Sequence, residues 1–88
     1  MKVVFDREAW AEYLIWQAED AALLARINLL LAECMRHPFS GTGKPEPLKR
    51  NLVGWWSRRI NREHRLIYRV TGKGEAHALE ILSCRYHY

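Results

Sequence analysis

The sequence WWSRRINREHRLIYRVT, residues 55–71, decides the fold because it contains two strand-like runs separated by a short polar turn. Aromatic and β-branched residues, which favour strands, occur in both residues 55–61 and residues 65–71. The turn-forming sequence NREH, residues 61–64, connects the two runs. This pattern predicts a pair of adjacent antiparallel strands.

Two helices are predicted before this strand pair. Residues 2–5 form a short run with β-branched and aromatic residues, typical of a strand, and Asp6 is a suitable N-cap for a helix over residues 7–17. Asp20 is placed to cap a second helix, which Pro38 would end. Apolar residues of that second helix recur at helical spacing, as expected for a face that packs on a core: Leu23, Leu24, Ile27, Leu30, Leu31, Cys34 and Met35.

The remaining segments complete an α+β arrangement. Residues 40–47 contain two Gly and two Pro and are predicted to be an irregular loop. Residues 72–74 form a turn, and residues 77–88 are predicted to be the last strand. The order β-α-α-β-β-β indicates a small antiparallel sheet with both helices on one face. We expect residues 1–88 to form a single domain.

Composition excludes several classes of protein. The chain is 49% hydrophobic and 27% charged, which is typical of a globular domain rather than a disordered one. Its apolar runs are far shorter than the roughly 20 residues of a membrane-spanning helix, and no secretory signal is evident. Cys34 and Cys84 do not have the spacing of metal ligands or of a disulfide framework. The expectation is a reduced, cytoplasmic protein without a metal, another cofactor or a membrane anchor.

Positive charge is concentrated in one third of the chain. The formal net charge is +4, yet residues 44–69 contain eight basic and two acidic residues, a net charge of +6. Ten of the fourteen basic residues are Arg, whose planar group binds phosphate in a bidentate manner. Arginines beside Trp and Tyr favour a nucleic-acid partner. A solvated basic surface without a partner is the alternative.

Strand alternation predicts a polar face that could cleave RNA. In residues 65–71, Leu66, Tyr68 and Val70 form the better core set, which leaves Arg65 on the other face. Applied to the neighbouring strands, the same alternation predicts one face that carries Arg59, Arg65, Arg85 and His87, with the loop residue Glu46 nearby. A carboxylate, an imidazole and several guanidiniums provide the base, the acid and the cations for attack of a ribose 2′-hydroxyl on the neighbouring phosphorus.

Each of these residues also has an ordinary structural interpretation. Glu46 can be a polar loop residue and His87 a surface residue. Glu63 can form an ion pair between neighbouring arginines, and His64 is interpreted as a solvated residue of a turn. A nucleic-acid-binding module with incidental catalytic groups is therefore an alternative, which predicts salt-sensitive binding without cleavage.

Several segments together give the chain a specific resemblance. The sequence resembles the YoeB (Txe/YoeB) toxins of type II toxin–antitoxin systems in PF at 38–39, GxGKPEPLK at 41–49, GxWSRRI at 54–60, EHRLIY at 63–68 and CRYHY at 84–88. The similarity runs the length of the chain. The visible departure is a longer turn at residues 72–77, which affects no candidate site residue.

The resemblance implies a RelE-like microbial ribonuclease fold and a mechanism. Members of the family are mRNA interferases that enter the ribosomal A site and cut the codon there, which stops translation. By position, Glu46 corresponds to the general base, His87 to the general acid and Arg65 to the group that stabilises the transition state. Four further residues correspond to positions that orient these groups or contact RNA: Lys49, Arg59, Glu63 and Tyr88.

The resemblance also implies partners. A YefM-like antitoxin is expected to cover the basic surface with a disordered acidic tail, and DNA would be contacted mainly by the antitoxin of the complex. A toxin homodimer is expected as well. The alternative is a relative of the same fold that inhibits a protein such as gyrase without catalysis. Such relatives lack the pair Glu46 and His87, which this sequence has.

Overall fold

A computed structural model describes residues 1–86. Its elements confirm the α+β class, with two helices and a five-stranded sheet. The helices are α1 (Arg7–Glu19) and α2 (Ala21–Arg36), and the strands are β1 (Lys2–Phe5), β2 (Glu46–Pro47), β3 (Trp56–Arg59), β4 (Arg65–Thr71) and β5 (Ala78–Ser83). Within residues 1–86, no helix has both the length and the apolar composition that crossing a bilayer requires.

The helix boundaries have local causes in the sequence. The Asp6 carboxylate accepts a hydrogen bond from the Glu8 backbone N–H at the start of α1. Asp20 ends α1, where its N–H donates to the Trp16 carbonyl, and it also begins α2, where its carboxylate accepts from Leu23 N at 3.0 Å. One residue therefore makes the turn between the two helices. The buried stripe of α2 agrees with the predicted one at Leu23, Ile27, Leu30, Leu31 and Cys34.

The strand order is β1-β5-β4-β3-β2, and the sheet is mixed rather than wholly antiparallel. Strand β1 pairs in parallel with β5, with Lys2 opposite Ala78 and Phe5 opposite Ile81. The other three pairs are antiparallel; this confirms the predicted direction for β3–β4 and β4–β5, whereas the β2–β3 pair was not predicted. A four-residue run carries no information on strand direction, and the long helical connection between β1 and the rest of the sheet permits parallel pairing.

The core lies between the helices and one face of the sheet. Leu66 and Tyr68 are fully buried and Val70 packs against them, which confirms the predicted core set of β4. In β5 the register shifts, because Tyr68 pairs with Ile81 while Ile67 pairs with Ser83. This irregularity breaks the simple alternation of the last strand, which ends at Ser83 and not at Tyr88.

Candidate active site

Three of the candidate residues lie on the sheet face that the helices leave uncovered. Arg59 on β3 is directly opposite Arg65 on β4. Glu46 is opposite Ser57, which lies two residues before Arg59 and therefore on the same face. Because strands are about 4.8 Å apart, Glu46 lies roughly 10 Å from β4 across the sheet, level with Ile67 and two residues along from Arg65, with β3 between them. The predicted placement of Arg59 and Arg65 on one face agrees with this register, and Glu46, which was predicted to lie nearby, is on the same face.

Glu46 belongs to a short edge strand and not to an irregular loop as predicted. It pairs with Ser57, and Pro47 pairs with Trp56. A proline is tolerated in this strand because it lies at the sheet edge, where no further strand needs its missing N–H. The Glu46 side chain is 55% exposed, and one carboxylate oxygen lies 3.7 Å from the ammonium of Lys44. The carboxylate is thus accessible to a substrate.

The turn before Glu46 is fixed against β3 by a glycine. The Gly43 carbonyl accepts a hydrogen bond from Arg59 N at 2.7 Å. Gly43 has a φ of 86°, and a Cβ at this position would lie 3.1 Å from the Arg59 carbonyl oxygen. Glycine therefore permits both the left-handed backbone and the close approach to β3. This contact sets the path of the chain from the turn into Glu46.

The Arg65 guanidinium is oriented by the turn that precedes it. Its Nη1 donates to the carbonyl oxygens of Asn61 at 2.8 Å and His64 at 3.1 Å. These bonds use a single nitrogen, and within residues 1–86 no hydrogen bond engages Nε or Nη2. The free edge of the fork is available for an anion.

Arg65 also lines a shallow depression with a volume of about 470 Å³ at this end of the sheet. We call it the basic depression. Within residues 1–86 its lining includes four arginines and no acidic residue; the lining residues are Arg26, Arg59, Ile60, Asn61, Arg62 and Arg65. Its charge and its opening to solvent suit an anionic chain better than an apolar ligand.

The chain end that leads to His87 is held beside Arg65. Arg65 N donates to the Tyr86 carbonyl at 2.8 Å, and Tyr86 N donates to Nδ1 of His64 at 2.7 Å. Tyr86 has a φ of 58°, a conformation that few non-glycine residues adopt, and the two bonds maintain it. His87 and Tyr88, the predicted acid and a predicted RNA contact, lie outside the described residues.

Comparison with known proteins finds relatives that match the chain over nearly its whole length. Residues 5–88 match the family model described as a YoeB-like toxin of bacterial type II toxin–antitoxin systems. The chain belongs to this family of toxins. It is 51% identical over 88 residues to toxin YoeB of Escherichia coli K12, covering all of both chains. It is 53% identical to toxin YoeB of Synechocystis, covering all of this chain and 98% of the relative.

Solved structures similar to this YoeB-like toxin have the same fold. A YoeB/ParE toxin from Agrobacterium tumefaciens is 49% identical, with a TM-score of 0.96 and complete coverage of both chains. The YoeB dimer from Staphylococcus aureus is 42% identical, with a TM-score of 0.89 over all of this chain and 98% of the other. The YoeB–YefM complex from the same species gives a TM-score of 0.88 at 40% identity, with the same coverage.

Two of the sequence-based assignments in this YoeB-like toxin are wrong. Arg85 does not lie on the open face, because its guanidinium stacks over the ring of Trp16 in α1, 5.1 Å from the centroid. The chain bends after β5 ends, so strand alternation no longer applies. His64 is not a solvated turn residue, since it is 6% exposed, contacts Trp16 edge-on and accepts the bond from Tyr86 N.

Two of the predicted supporting residues, Glu63 and Lys49, lie in different parts of the structure. Glu63 lies beside the buried imidazole, with its carboxylate 3.7 Å from Nε2 of His64, and it remains 67% exposed. Lys49 follows β2 in the direction of Trp55, away from Arg59 and Arg65. The structure therefore does not bring Lys49 next to the two arginines. Within residues 1–86, no group of three or more His, Cys, Asp or Glu side chains is placed to hold a metal ion.

The sequence reasoning missed a role for Arg58, which is fully buried on the core side of β3. Burial opposes its charge, but a hydrogen bond from Nε to the Tyr68 hydroxyl at 3.2 Å and nearby charges raise the pKa of Arg58 above its usual value. Its other nitrogens bind the segment that precedes the Gly43 turn through the carbonyls of His37, Ser40 and Thr42. Alternation places Arg58 with Trp56 and Ile60 on the core face, a signal that could have identified it.

Glu33 completes this buried network. Its carboxylate accepts from Thr42 N and lies 3.4 Å from Nη1 of Arg58. The hydrogen bond from the Thr42 backbone is the main cause that lowers the pKa of Glu33, and Arg58 adds to it. The ionised carboxylate of α2 and the buried guanidinium of β3 together fix the segment that leads to Glu46.

Proposed function

We propose that this toxin is a metal-independent endoribonuclease that cuts mRNA in the ribosomal A site and so inhibits translation. The observation that carries the proposal is the presence of an exposed carboxylate, Glu46, on the same sheet face as Arg59 and Arg65. Membership in the YoeB-like family supports the same activity.

The chemistry is an internal attack on the RNA backbone. Glu46 takes the proton from the ribose 2′-hydroxyl, whose oxygen bonds to the adjacent phosphorus. His87 donates a proton to the departing 5′-oxygen, so that the products are a 2′,3′-cyclic phosphate and a 5′-hydroxyl. Arg65 presents the free edge of its guanidinium to the phosphate oxygens, where negative charge increases in the transition state.

The remaining candidate residues support this centre. Arg59, directly opposite Arg65, provides a second guanidinium for the same phosphate. Lys49, Glu63 and Tyr88 contact RNA or orient the reacting groups. Since base, acid and charge stabilisation are all supplied by side chains, this mechanism requires no metal ion.

Partners follow from the relatives. A YoeB–YefM complex and a YoeB dimer are known from Staphylococcus aureus. We propose that this chain likewise binds a YefM-like antitoxin, whose acidic segment would neutralise the basic residues between 44 and 69, and that it forms a homodimer. DNA would be contacted through the antitoxin of the complex.

The decisive experiment is primer extension on a message translated in vitro, with purified wild type and single variants. We expect Glu46→Gln and His87→Gln to slow A-site cleavage by about 10²–10⁴-fold, the usual contribution of a general base or acid. Arg65→Gln should slow it by about 10²–10³-fold, and EDTA should have no effect on the wild type.

Arg36→Gln is the matched control, because Arg36 is an exposed arginine at the end of α2. It should cleave like the wild type. Undiminished cleavage by both Glu46→Gln and His87→Gln would refute the assigned roles. Inhibition of DNA supercoiling by a wild type that cuts no mRNA would refute the ribonuclease activity itself.

A further inference from the structure

The basic depression contains two arginines that the proposed cleavage does not use. Arg26 comes from α2 and Arg62 from the turn between β3 and β4, and both line the depression beside Arg59 and Arg65. One scissile phosphate carries a single negative charge, which Arg59 and Arg65 already face. The two additional guanidiniums are therefore in excess of what one phosphate needs.

Arg26 is fixed in place before any ligand binds. Its Nε donates to the Ile60 carbonyl at 3.2 Å and its Nη2 to the Arg59 carbonyl at 3.1 Å. The side chain thus extends from α2 to the end of β3, and within residues 1–86 no hydrogen bond engages Nη1. A guanidinium held in this way loses little conformational entropy when it binds an anion.

Arg62 adds an exposed guanidinium to the same wall. Its carbonyl lies 3.4 Å from Nη1 of Arg65, so the turn that orients Arg65 also carries Arg62. No ion pair within residues 1–86 involves the Arg62 side chain. The positive charge of Arg62 is therefore available to an RNA strand that extends past Arg65.

We propose that Arg26 and Arg62 form a second phosphate subsite, which holds the backbone phosphate adjacent to the scissile one in single-stranded RNA. The inference rests on the proposed ribonuclease function. An RNA strand placed on Arg59 and Arg65 continues into a neighbouring phosphate, and Arg26 and Arg62 line the same depression as those two residues. None of its lining residues within 1–86 is aromatic, so Arg26 and Arg62 would contact the RNA backbone and would not read the base sequence.

The test uses an RNA oligonucleotide with a 2′-deoxyribose at the cleavage site, which binds but cannot be cut. Its affinity is measured by fluorescence anisotropy over a range of salt concentrations for wild type, Arg26→Gln and Arg62→Gln. We expect each variant to reduce the slope of log affinity against log salt by about 0.7, the value for one phosphate contact in a single strand. Arg36→Gln, with the same charge change on the same helix as Arg26, should leave the slope unchanged.

A second substrate locates the contact. Replacing the adjacent phosphate with a neutral methylphosphonate should weaken wild-type binding and should have little further effect on either variant. Because Arg26 also binds two backbone carbonyls, its variant could lose stability. Thermal unfolding of every protein therefore shows whether a variant is destabilised, and Arg62→Gln tests the subsite without removing the two bonds that Arg26 makes.

The outcomes separate the subsite from the proposed function. Unchanged slopes in both variants, with A-site cleavage by the wild type intact, would overturn the subsite alone. Reduced slopes in a protein that cuts no ribosomal message would support the subsite and refute the ribonuclease activity. Unchanged RNA binding with weakened binding of an acidic antitoxin segment would assign the depression to a protein partner and overturn the proposal.

Discussion

Replacement of the buried Arg58 by Met tests how the segment before Glu46 is held in place. Methionine is shorter than arginine and has no charge and no hydrogen-bond donor, so Arg58→Met removes every polar contact that the guanidinium makes. The lost partners are the Glu33 carboxylate, the Tyr68 hydroxyl and the carbonyls of His37, Ser40 and Thr42.

The expected loss in the free energy of unfolding depends on whether each former partner of Arg58 can form another hydrogen bond. A hydrogen bond from a charged group contributes about 1.5–3 kcal/mol, so four such bonds have a gross value of roughly 6–12 kcal/mol. Three effects reduce this sum. His37, Ser40 and Thr42 are exposed residues whose carbonyls can return to water, and the variant no longer desolvates a guanidinium. Glu33 also keeps its bond to Thr42 N. We expect a loss of about 3 kcal/mol in the free energy of unfolding, which corresponds to about one or two of these bonds.

Urea unfolding, followed by tryptophan fluorescence, measures this loss. The matched control is Arg59→Met, because Arg59 is the next residue, is exposed and lies on the opposite face of β3. The control should remain within about 0.5 kcal/mol of the wild type, as surface substitutions usually do. A change of less than about 1 kcal/mol for Arg58→Met at an unchanged m-value would show that the buried network does not stabilise the fold.

Two further expectations concern ionisation. The lowered pKa of Glu33 means that its carboxylate stabilises the fold above about pH 4.5, and that this contribution disappears as pH falls through the folded-state pKa. The difference in unfolding free energy between wild type and Glu33→Gln should therefore shrink between pH 7 and pH 3 in urea titrations; a constant difference would contradict the role of its charge. Burial raises the pKa of Cys34 to about 11 and that of Cys84 to about 12, so both thiols should react with a disulfide reagent at neutral pH only after denaturation. Rapid labelling of both thiols in the native protein would contradict their burial. The same shifts mean that the free energy of unfolding falls as pH rises above 9.

Much of the fold was predictable because its signals are local. Asp20 is a good N-cap beside an apolar helical stripe, and the Leu66, Tyr68 and Val70 alternation defines a core face; both agree with the structure. The parallel pairing of β1 with β5 was not predictable, since it depends on where the helical pair returns the chain. The register shift in β5 was equally hidden, because it arises from pairing between strands rather than from the sequence of one strand.

The candidate site was predictable to the extent that it lies on regular strands. Arg59 and Arg65 share a face because strand alternation holds at both positions. Arg85 was misplaced because it follows the end of β5, where the indole of Trp16 and not the sheet determines its position. The burial of His64 was missed because composition alone does not reveal that a turn is covered by the chain end at Tyr86.

The basic residues between 44 and 69 do not form one uniform surface. Some of the arginines there bind groups of the protein itself, and others line the basic depression. Arg58 is fully buried and directs its donors to protein acceptors. Arg69 forms an ion pair with Glu80 at 2.6 Å and lies over the Trp55 ring, 4.3 Å from its centroid. Neither residue lines the basic depression. The net charge of +6 between residues 44 and 69 therefore overstates the charge available to a ligand. The phosphate binding that we propose is therefore expected at the end of the sheet that carries Arg65, where the arginines that line the depression meet and where Arg65 N binds the Tyr86 carbonyl.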